Sequence, residues 1–96
     1  MIKIEATLRL GHVRKAPIHT GYRPGFKFLD ETMTSGQITL LDREELVPGG
    51  TAIVEVQFLS KEFLGDDLSP GRIITFGEGP IALGEIEIID VMEIEE

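Results

Sequence analysis

An all-β fold, arranged as an antiparallel sandwich or barrel, is what this sequence predicts, and three observations support it. Short stretches alternate apolar with polar residues, as half-buried strands do. Glycine- and proline-rich turns separate these stretches at regular spacing. No stretch repeats its apolar residues with the helical period, and 96 residues leave room for one core, so we expect a single domain over residues 1–96.

The first half of the chain begins with a strand and a long loop. Apolar side chains occupy every even position of residues 2–10, which predicts a half-buried strand. Residues 11–24 are predicted to form a loop, and loops of this length are uncommon in compact domains and often functional. Phe26 and Phe28 then share one face of a second strand. Residues 30–35 are predicted to be a polar turn or a continuation of that strand.

The middle of the chain contains the clearest strand. Gly36 precedes a short strand over residues 37–41, and residues 42–45 form a charged connection. Residues 47–50 read Val-Pro-Gly-Gly and predict a turn, because proline presets φ and glycine tolerates positive φ. Residues 51–59 alternate throughout and are therefore predicted to be a strand.

The last third of the chain contains two more strands around a tight turn. Residues 60–70 are predicted to be a loop and residues 72–76 a strand rich in β-branched side chains. Residues 77–80, Gly-Glu-Gly-Pro, predict the tightest turn of the chain.

Residues 81–94 are predicted to be a long final strand. Its apolar alternation slips at Gly84 and again at residues 88–89. Because a slip of one residue moves side chains to the other face, each slip predicts a β-bulge. Residues 92–96 are predicted to end the chain as an acidic tail.

Composition and charge narrow the class of protein. The chain has no cysteine, which removes disulfides and thiolate metal sites, and no apolar run long enough for a membrane span. The first residues alternate rather than form the apolar centre of a signal peptide, so we expect a cytoplasmic protein. The net charge is −8, yet residues 1–27 hold six of the nine basic residues and one acid. One basic face on an acidic protein is therefore expected.

Four motifs in the correct order resemble the third, C-terminal domain of elongation factor Tu. Residues 17–28 are similar to its Pro-x-x-x-Gly-Tyr-Arg-Pro-x-Phe-x-Phe element, and residues 35–40 to its Thr-Gly-x-x-x-Leu step. Residues 47–50 resemble its Met-Pro-Gly-Asp turn. Residues 76–79 with residues 83–84 resemble its Glu-Gly-Gly-x-x-Val-Gly hairpin. The resemblance extends from about Ile2 to about Val91 and indicates a bacterial, translation-related origin.

This resemblance implies a six-stranded antiparallel β-barrel of the translation-factor C-terminal type. In the family, the barrel packs on a GTPase domain, contacts the T-stem backbone of aminoacyl-tRNA and meets an exchange factor. By position, the resemblance carries binding roles to Tyr22, Arg23 and Gly79. The arginines that flank the family's turn are Gly77 and Ile81 here. No phosphate-loop motif is present, so neither GTP nor any other cofactor is expected.

Two groups of polar residues allow an alternative, chemical interpretation. His12 and His19 lie seven positions apart in the long loop and could join Asp66 and Asp67 in a metal site, although no ligand spacing supports one. Glu62 with the same two aspartates could form an acid–base pair, which requires an enclosed pocket. A solvated loop explains both groups more simply, and we expect neither a metal site nor catalytic residues.

The sequence therefore predicts a non-enzymatic binding module that acts through protein–protein contact. A mimic of elongation factor Tu, or an immunity protein that neutralises a toxin, fits the acidic charge, because a negative surface can cover a basic partner. Apolar residues at positions that could face outwards would mark the interface, with a homodimer as one way to cover it. These residues are Ile53, Leu59, Leu64 and Ile81.

The alternative is a translation-related protein that binds tRNA through the basic loop over residues 14–27. Lysine and arginine side chains would contact the phosphate backbone. The candidates are Arg14, Lys15, Arg23 and Lys27. The simpler interpretation of Tyr22 and Arg23 is structural, with the tyrosine covering one end of the barrel and the arginine paired with an acid.

Overall fold

The all-β class is confirmed by the computed structural model, which describes residues 1–29, 32–59 and 62–93. Nine strands and no helix occur in these residues. The strands are β1 (Ile2–Leu10), β2 (Ile18–His19), β3 (Gly25–Leu29), β4 (Thr32–Ser35), β5 (Gln37–Leu40), β6 (Glu45–Leu46), β7 (Thr51–Phe58), β8 (Ile73–Glu78) and β9 (Ile81–Glu93). Residues 94–96 of the predicted acidic tail and residues 30–31 of the predicted turn lie outside the described residues.

Seven of these strands form one curled antiparallel sheet in the order β4-β3-β8-β9-β1-β7-β5. β9 is the central strand of this order, and its neighbour β1 pairs along its length with both β7 and β9. The two short strands β2 and β6 form a separate pair. The predicted loop over residues 11–24 therefore contains one short strand, which the sequence pattern did not indicate because two residues are too few for an alternation.

The inner face of the curled sheet forms the hydrophobic core. The even positions of β1 and β7 are buried and the odd positions are partly or fully exposed, so alternation in the sequence becomes an inner and an outer face. Phe58 lies between Phe26 and Phe28, with ring centroids 5.3 Å apart in both cases and the rings nearly perpendicular. Among the described residues, no polar or charged side chain is buried in this core.

Both predicted bulges in the final strand are confirmed. Between β1 and β9, Glu5 faces Asp90 while Ala6 faces Ile88, so Ile89 is the additional residue. Between β8 and β9, Phe76 faces Gly84 while the next residue of β8 faces Ala82, so one residue is again additional. The extra residues change the phase of β9, and its inner face can therefore bury apolar side chains on both sides of each slip.

One predicted outward residue is wrong. Leu64 was expected on the surface because its loop is polar, yet its side chain is fully buried in the core cluster. The loop folds back over the sheet, and Gly65 brings it against the side chain of Leu29. Leu59 and Ile81 are exposed as predicted, at 78% and 54%, and Ile53 is partly buried.

Among the described residues, we find no helix with the length and hydrophobicity that a membrane crossing requires.

Candidate binding site

The turn between β8 and β9 positions the candidate site. Glu78 and Ile81 pair across a turn of two residues, Gly79 and Pro80. Gly79 has a φ of 58°, which the first position of this hairpin turn requires and which glycine adopts without strain. Gly77 lies so close to the returning strand that an added Cβ would be 2.0 Å from the carbonyl oxygen of Ile81. The backbone at this end of the hairpin is therefore fixed by close packing.

Beside this turn, Arg14, Tyr22 and Glu78 form a cluster that we call the Tyr22 cluster. The Tyr22 hydroxyl donates a hydrogen bond of 2.6 Å to Oε2 of Glu78. Nη1 of Arg14 lies 3.3 Å from the same oxygen, and the Arg14 guanidinium carbon lies 4.7 Å from the centre of the Tyr22 ring. Nε of Arg14 also donates to the carbonyl oxygen of Ala16 at 3.1 Å. The two contacts with Glu78 thereby fasten the long loop to the β8–β9 hairpin, and the cation–π contact holds Arg14 against Tyr22 within the loop.

Burial and Glu78 together raise the pKa of Tyr22 to about 12. Partial burial of the phenol contributes most, and the hydrogen bond to Glu78 and the negative charge of that carboxylate add to it. The positive charge of Arg14 acts in the opposite direction. The phenol therefore remains a hydrogen-bond donor at neutral pH, and the charge of Arg14 is compensated by Glu78.

The other predicted basic residues do not converge on the Tyr22 cluster. Nη2 of Arg23 donates to Oε1 of Gln37 at 3.3 Å, so the expected acidic partner is a neutral amide. Nζ of Lys15 donates to the carbonyl oxygen of His12 at 3.3 Å. Lys27 lies on the outer face of β3, opposite Thr75 of β8. The predicted basic loop is thus divided among three different surroundings.

A groove of about 340 Å³ lies on the outer face of the sheet, between β4 and the β8–β9 turn. We call it the β3 groove because it crosses that strand. Gly77 and Gly79 contribute backbone to its lining, and Gly77 faces Gly25 of β3 in register. The remaining lining includes Lys27, Thr32, Met33, Thr75, Pro80 and Ile81. Three predicted residues, Lys27, Gly79 and Ile81, therefore lie at one groove.

The walls of the β3 groove are apolar and exposed. Met33 is 43% exposed and Ile81 54% exposed. The methyl end of Met33 lies over Gly25, where an added Cβ would be 3.0 Å from its Cε. The sequence pattern did not indicate Met33 or Thr75 as groove residues. The available signal was a glycine in each of β3 and β8, because a glycine in a strand often marks a place where a ligand or another backbone approaches closely.

Lys27 is the charged side chain among the described residues of the groove lining. It differs from Arg9, on β1, in its acidic partners. The guanidinium of Arg9 lies 2.7 Å from Glu87 and 2.9 Å from Glu85. The hydrogen bond to Glu87 is the main reason that the pKa of Arg9 is raised. In the part of the chain that the structure describes, no carboxylate lies within ion-pair distance of the Lys27 ammonium.

The histidines and aspartates of the alternative interpretations lie apart. Nε2 of His19 is 3.2 Å from Glu45, and His12 packs against Gly49. Asp67 accepts hydrogen bonds from the amide and hydroxyl of Ser69, which lower the pKa of that carboxyl and make it part of a turn. Within residues 1–29, 32–59 and 62–93, no three His, Asp or Glu side chains are grouped to hold a metal ion.

No known family of proteins matches the sequence, and no curated protein resembles it at a significant level.

Proposed function

We propose that the protein is a non-enzymatic binding module that recognises a segment of another protein through the β3 groove. The observation that carries this proposal is the groove itself: two exposed apolar walls, Met33 and Ile81, in a lining that includes the backbone of Gly77 and Gly79. Exposed apolar side chains around a concave surface are typical of protein interaction sites. The ammonium of Lys27, which pairs with no carboxylate of the residues that the structure describes, adds a polar anchor within the same groove.

A stand-alone barrel similar to the third domain of elongation factor Tu is part of the same proposal. β4 and β5 are separated by Gly36 alone, and β5 bonds to β7 on one side and to residues 21–24 on the other. The bonds on this second side include Ile38 N to Tyr22 O at 2.9 Å and Gly36 N to Pro24 O at 3.2 Å. Counted as one strand bent at Gly36, β4 and β5 would close the sheet into six strands.

In this proposal the protein works in the bacterial cytoplasm, either as a mimic of elongation factor Tu or as an immunity protein that covers a basic toxin. The net charge of −8 favours a basic partner. A second copy of the chain is the less favoured occupant, since two copies of this charge repel each other.

The experiment that tests the proposal compares two acidic substitutions on exposed apolar residues. Ile81→Asp places a charge in the groove wall, while Val47→Asp changes a residue of nearly equal exposure, 53%, that does not line the groove. Partners are captured from the source cells with the wild-type protein and identified, and binding is then measured with purified components. We expect binding to survive Val47→Asp and to fall at least about tenfold with Ile81→Asp, because a charge would be buried in an apolar contact.

Two results would contradict this proposal. Equal binding by both variants would place the contact outside the groove. Light scattering that shows a dimer of the wild-type protein, dispersed by Ile81→Asp, would make a second copy the occupant.

Binding of tRNA is the second candidate, and the surroundings of Arg23 favour it. The Arg23 guanidinium makes one hydrogen bond of 3.3 Å, to an amide, so most of its donors could contact phosphate. The compensation of Arg14 by Glu78 and the negative net charge count against it. A gel shift with unfractionated tRNA at low salt decides, using Arg23→Ala and, as control, Arg43→Ala, whose guanidinium is bound to Asp42 at 3.0 Å. Retardation lost only with Arg23→Ala would favour RNA binding.

A further inference from the structure

The β3 groove differs in charge from the surface around it. On the outer faces of β1, β7 and β9, acidic residues are interleaved with cations that they neutralise. Among the described residues that line it, the groove contains a cation and no acid. The paired cations of the described surface are Lys3 with Glu55, Arg9 with Glu85 and Glu87, Arg14 with Glu78, and Arg43 with Asp42. A local positive site on a protein of net charge −8 therefore selects a different chemistry from these paired surfaces.

We propose that the groove binds an extended segment of a partner protein in which one large apolar side chain and one acidic side chain are two positions apart. This inference rests on the proposed function and specifies its partner. The acidic side chain pairs with the ammonium of Lys27, and the apolar side chain packs against Met33 and Ile81. Thr32 and Thr75 also line the groove, and their hydroxyls can bond to the backbone of the segment.

The dimensions of the groove determine the spacing of the two side chains. The groove extends from β4 over β3 and β8 to the start of β9, but the two contacts of the segment lie along β3: the end of Met33 covers Gly25, which is two positions, or about 7 Å, from Lys27 on the same face. An extended chain covers that distance with about three residues, and its alternate side chains point to the same side. The volume of the groove, about 340 Å³, is at the lower end for ligand sites, so the groove fits a short extended segment rather than a helix.

The surrounding charge determines what flanks the segment. Glu85 and Glu87 lie beyond Thr75 on the same outer face, and Glu85 borders a shallow depression that Thr75 shares with the groove. Arg9 offsets one of these two negative charges, so the charge that remains would repel a run of acids in the partner and attract basic flanking residues. The expected partner is a basic protein with a single acid in its docking segment.

The test is a titration of the ¹⁵N-labelled full chain with three capped pentapeptides, followed by nuclear magnetic resonance. The probes are acetyl-Gly-Leu-Ser-Glu-Gly-amide and the same peptide with glutamine or lysine in place of glutamate. We expect the amide signals of Gly25, Lys27, Gly77 and Ile81 to move. At low salt the glutamate peptide should bind roughly threefold more tightly than the glutamine peptide and roughly tenfold more tightly than the lysine peptide, the range for an exposed ion pair.

Two variants separate the ion pair from the apolar contact. Lys27→Met should remove the ranking of the three peptides while the same amides still move, and salt at about 1 M should weaken the ranking in the wild type. Lys15→Met, which changes a lysine outside the groove, should leave the ranking unchanged.

Equal affinity of the three peptides at the groove would overturn the acidic preference and leave the groove as a docking site. Movement confined to amides elsewhere, or none at millimolar peptide, would overturn the inference. The proposed function is judged separately, by the effects of Ile81→Asp and Val47→Asp on the captured partner.

Discussion

Tyr22 reports directly on the cluster beside the β8–β9 turn, because it is the only tyrosine in a chain without tryptophan. The ultraviolet absorbance of tyrosinate therefore follows one residue. The wild-type protein should titrate with a midpoint near the folded pKa of about 12. The perturbation is Glu78→Gln, which keeps the shape and a hydrogen-bond acceptor at 2.6 Å from the phenol but removes the charge.

The size of the effect follows from the causes of the raised pKa. Burial of the phenol is the largest cause and remains in the variant, so the pKa should fall only part of the way towards 10. A hydrogen bond to a charged group exceeds one to a neutral group by about 1 kcal/mol, which corresponds to roughly 0.7 pH unit. Tyr22 is only partly buried, so solvent still screens the charge of Glu78 and we expect a drop of about 0.5 pH unit.

A second substitution in the same cluster should act in the opposite direction. Arg14→Gln removes the positive charge that favours the phenolate, so the midpoint of Tyr22 should rise. Arg43→Gln, distant from the cluster, is the control, and the chain unfolded in urea should titrate near the ordinary value of about 10. Circular dichroism at each pH shows that the fold persists. A titration midpoint of Tyr22 near 10 in the folded wild-type protein would refute the contacts of the Tyr22 cluster. Equal midpoints for Glu78→Gln and Arg14→Gln would refute them as well.

The same raised pKa predicts how stability changes with pH. Because the folded pKa of Tyr22 lies above its unfolded value, the protonated phenol favours the folded state. That contribution is complete below pH 10 and is lost as the pH rises from 10 through 12. The urea midpoint should therefore decline in this window, and Tyr22→Phe should show a smaller decline.

Three substitutions are tested by urea unfolding. Two of them change the packing of Phe58 in the core, and the third changes Gly25 beneath Met33 and is also tested by binding. Gly36→Ala should destabilise by about 1–3 kcal/mol, because the added Cβ would lie 2.6 Å from Phe58 and 2.8 Å from Val56; no loss would contradict the close approach. Phe58→Ala should cost about 3–5 kcal/mol, since its ring is fully buried between two others, and a cost below about 1 kcal/mol would contradict that packing. Gly25→Ala should cost less than either, because the flexible end of Met33 can move aside, yet it should weaken binding in the groove; unchanged binding would place the contact elsewhere.

Alternation in the sequence predicted the long strands because burial of one face is a property of each residue. The boundaries of β1 agree with the prediction, and β7 is one residue shorter than predicted. The two bulges were visible because a slip in the apolar phase of β9 has to be accommodated by an additional residue. These features depend on the local pattern alone, and a single sequence contains that pattern.

Features that depend on contacts distant in sequence were not predictable in the same way. Glu78 is 56 positions from Tyr22 and 64 from Arg14, and no local signal joins an acid in a turn to a phenol and a guanidinium in another loop. Leu64 lies in a polar loop, so its burial depends on how that loop crosses the sheet. The β3 groove likewise requires the register that places Gly25 opposite Gly77.

The facing glycines of β3 and β8 have different physical explanations. Gly77 is required by the fold, because a Cβ there would lie 2.0 Å from a backbone oxygen that cannot move aside. Gly25 is not required by its backbone conformation, since its φ is outside the left-handed region. Glycine in a strand weakens it, because it packs no side chain and loses more entropy on folding. An added Cβ at position 25 would lie 3.0 Å from Cε of Met33, so glycine there lets Met33 lie across β3 and form the apolar wall that the proposed groove presents to its partner.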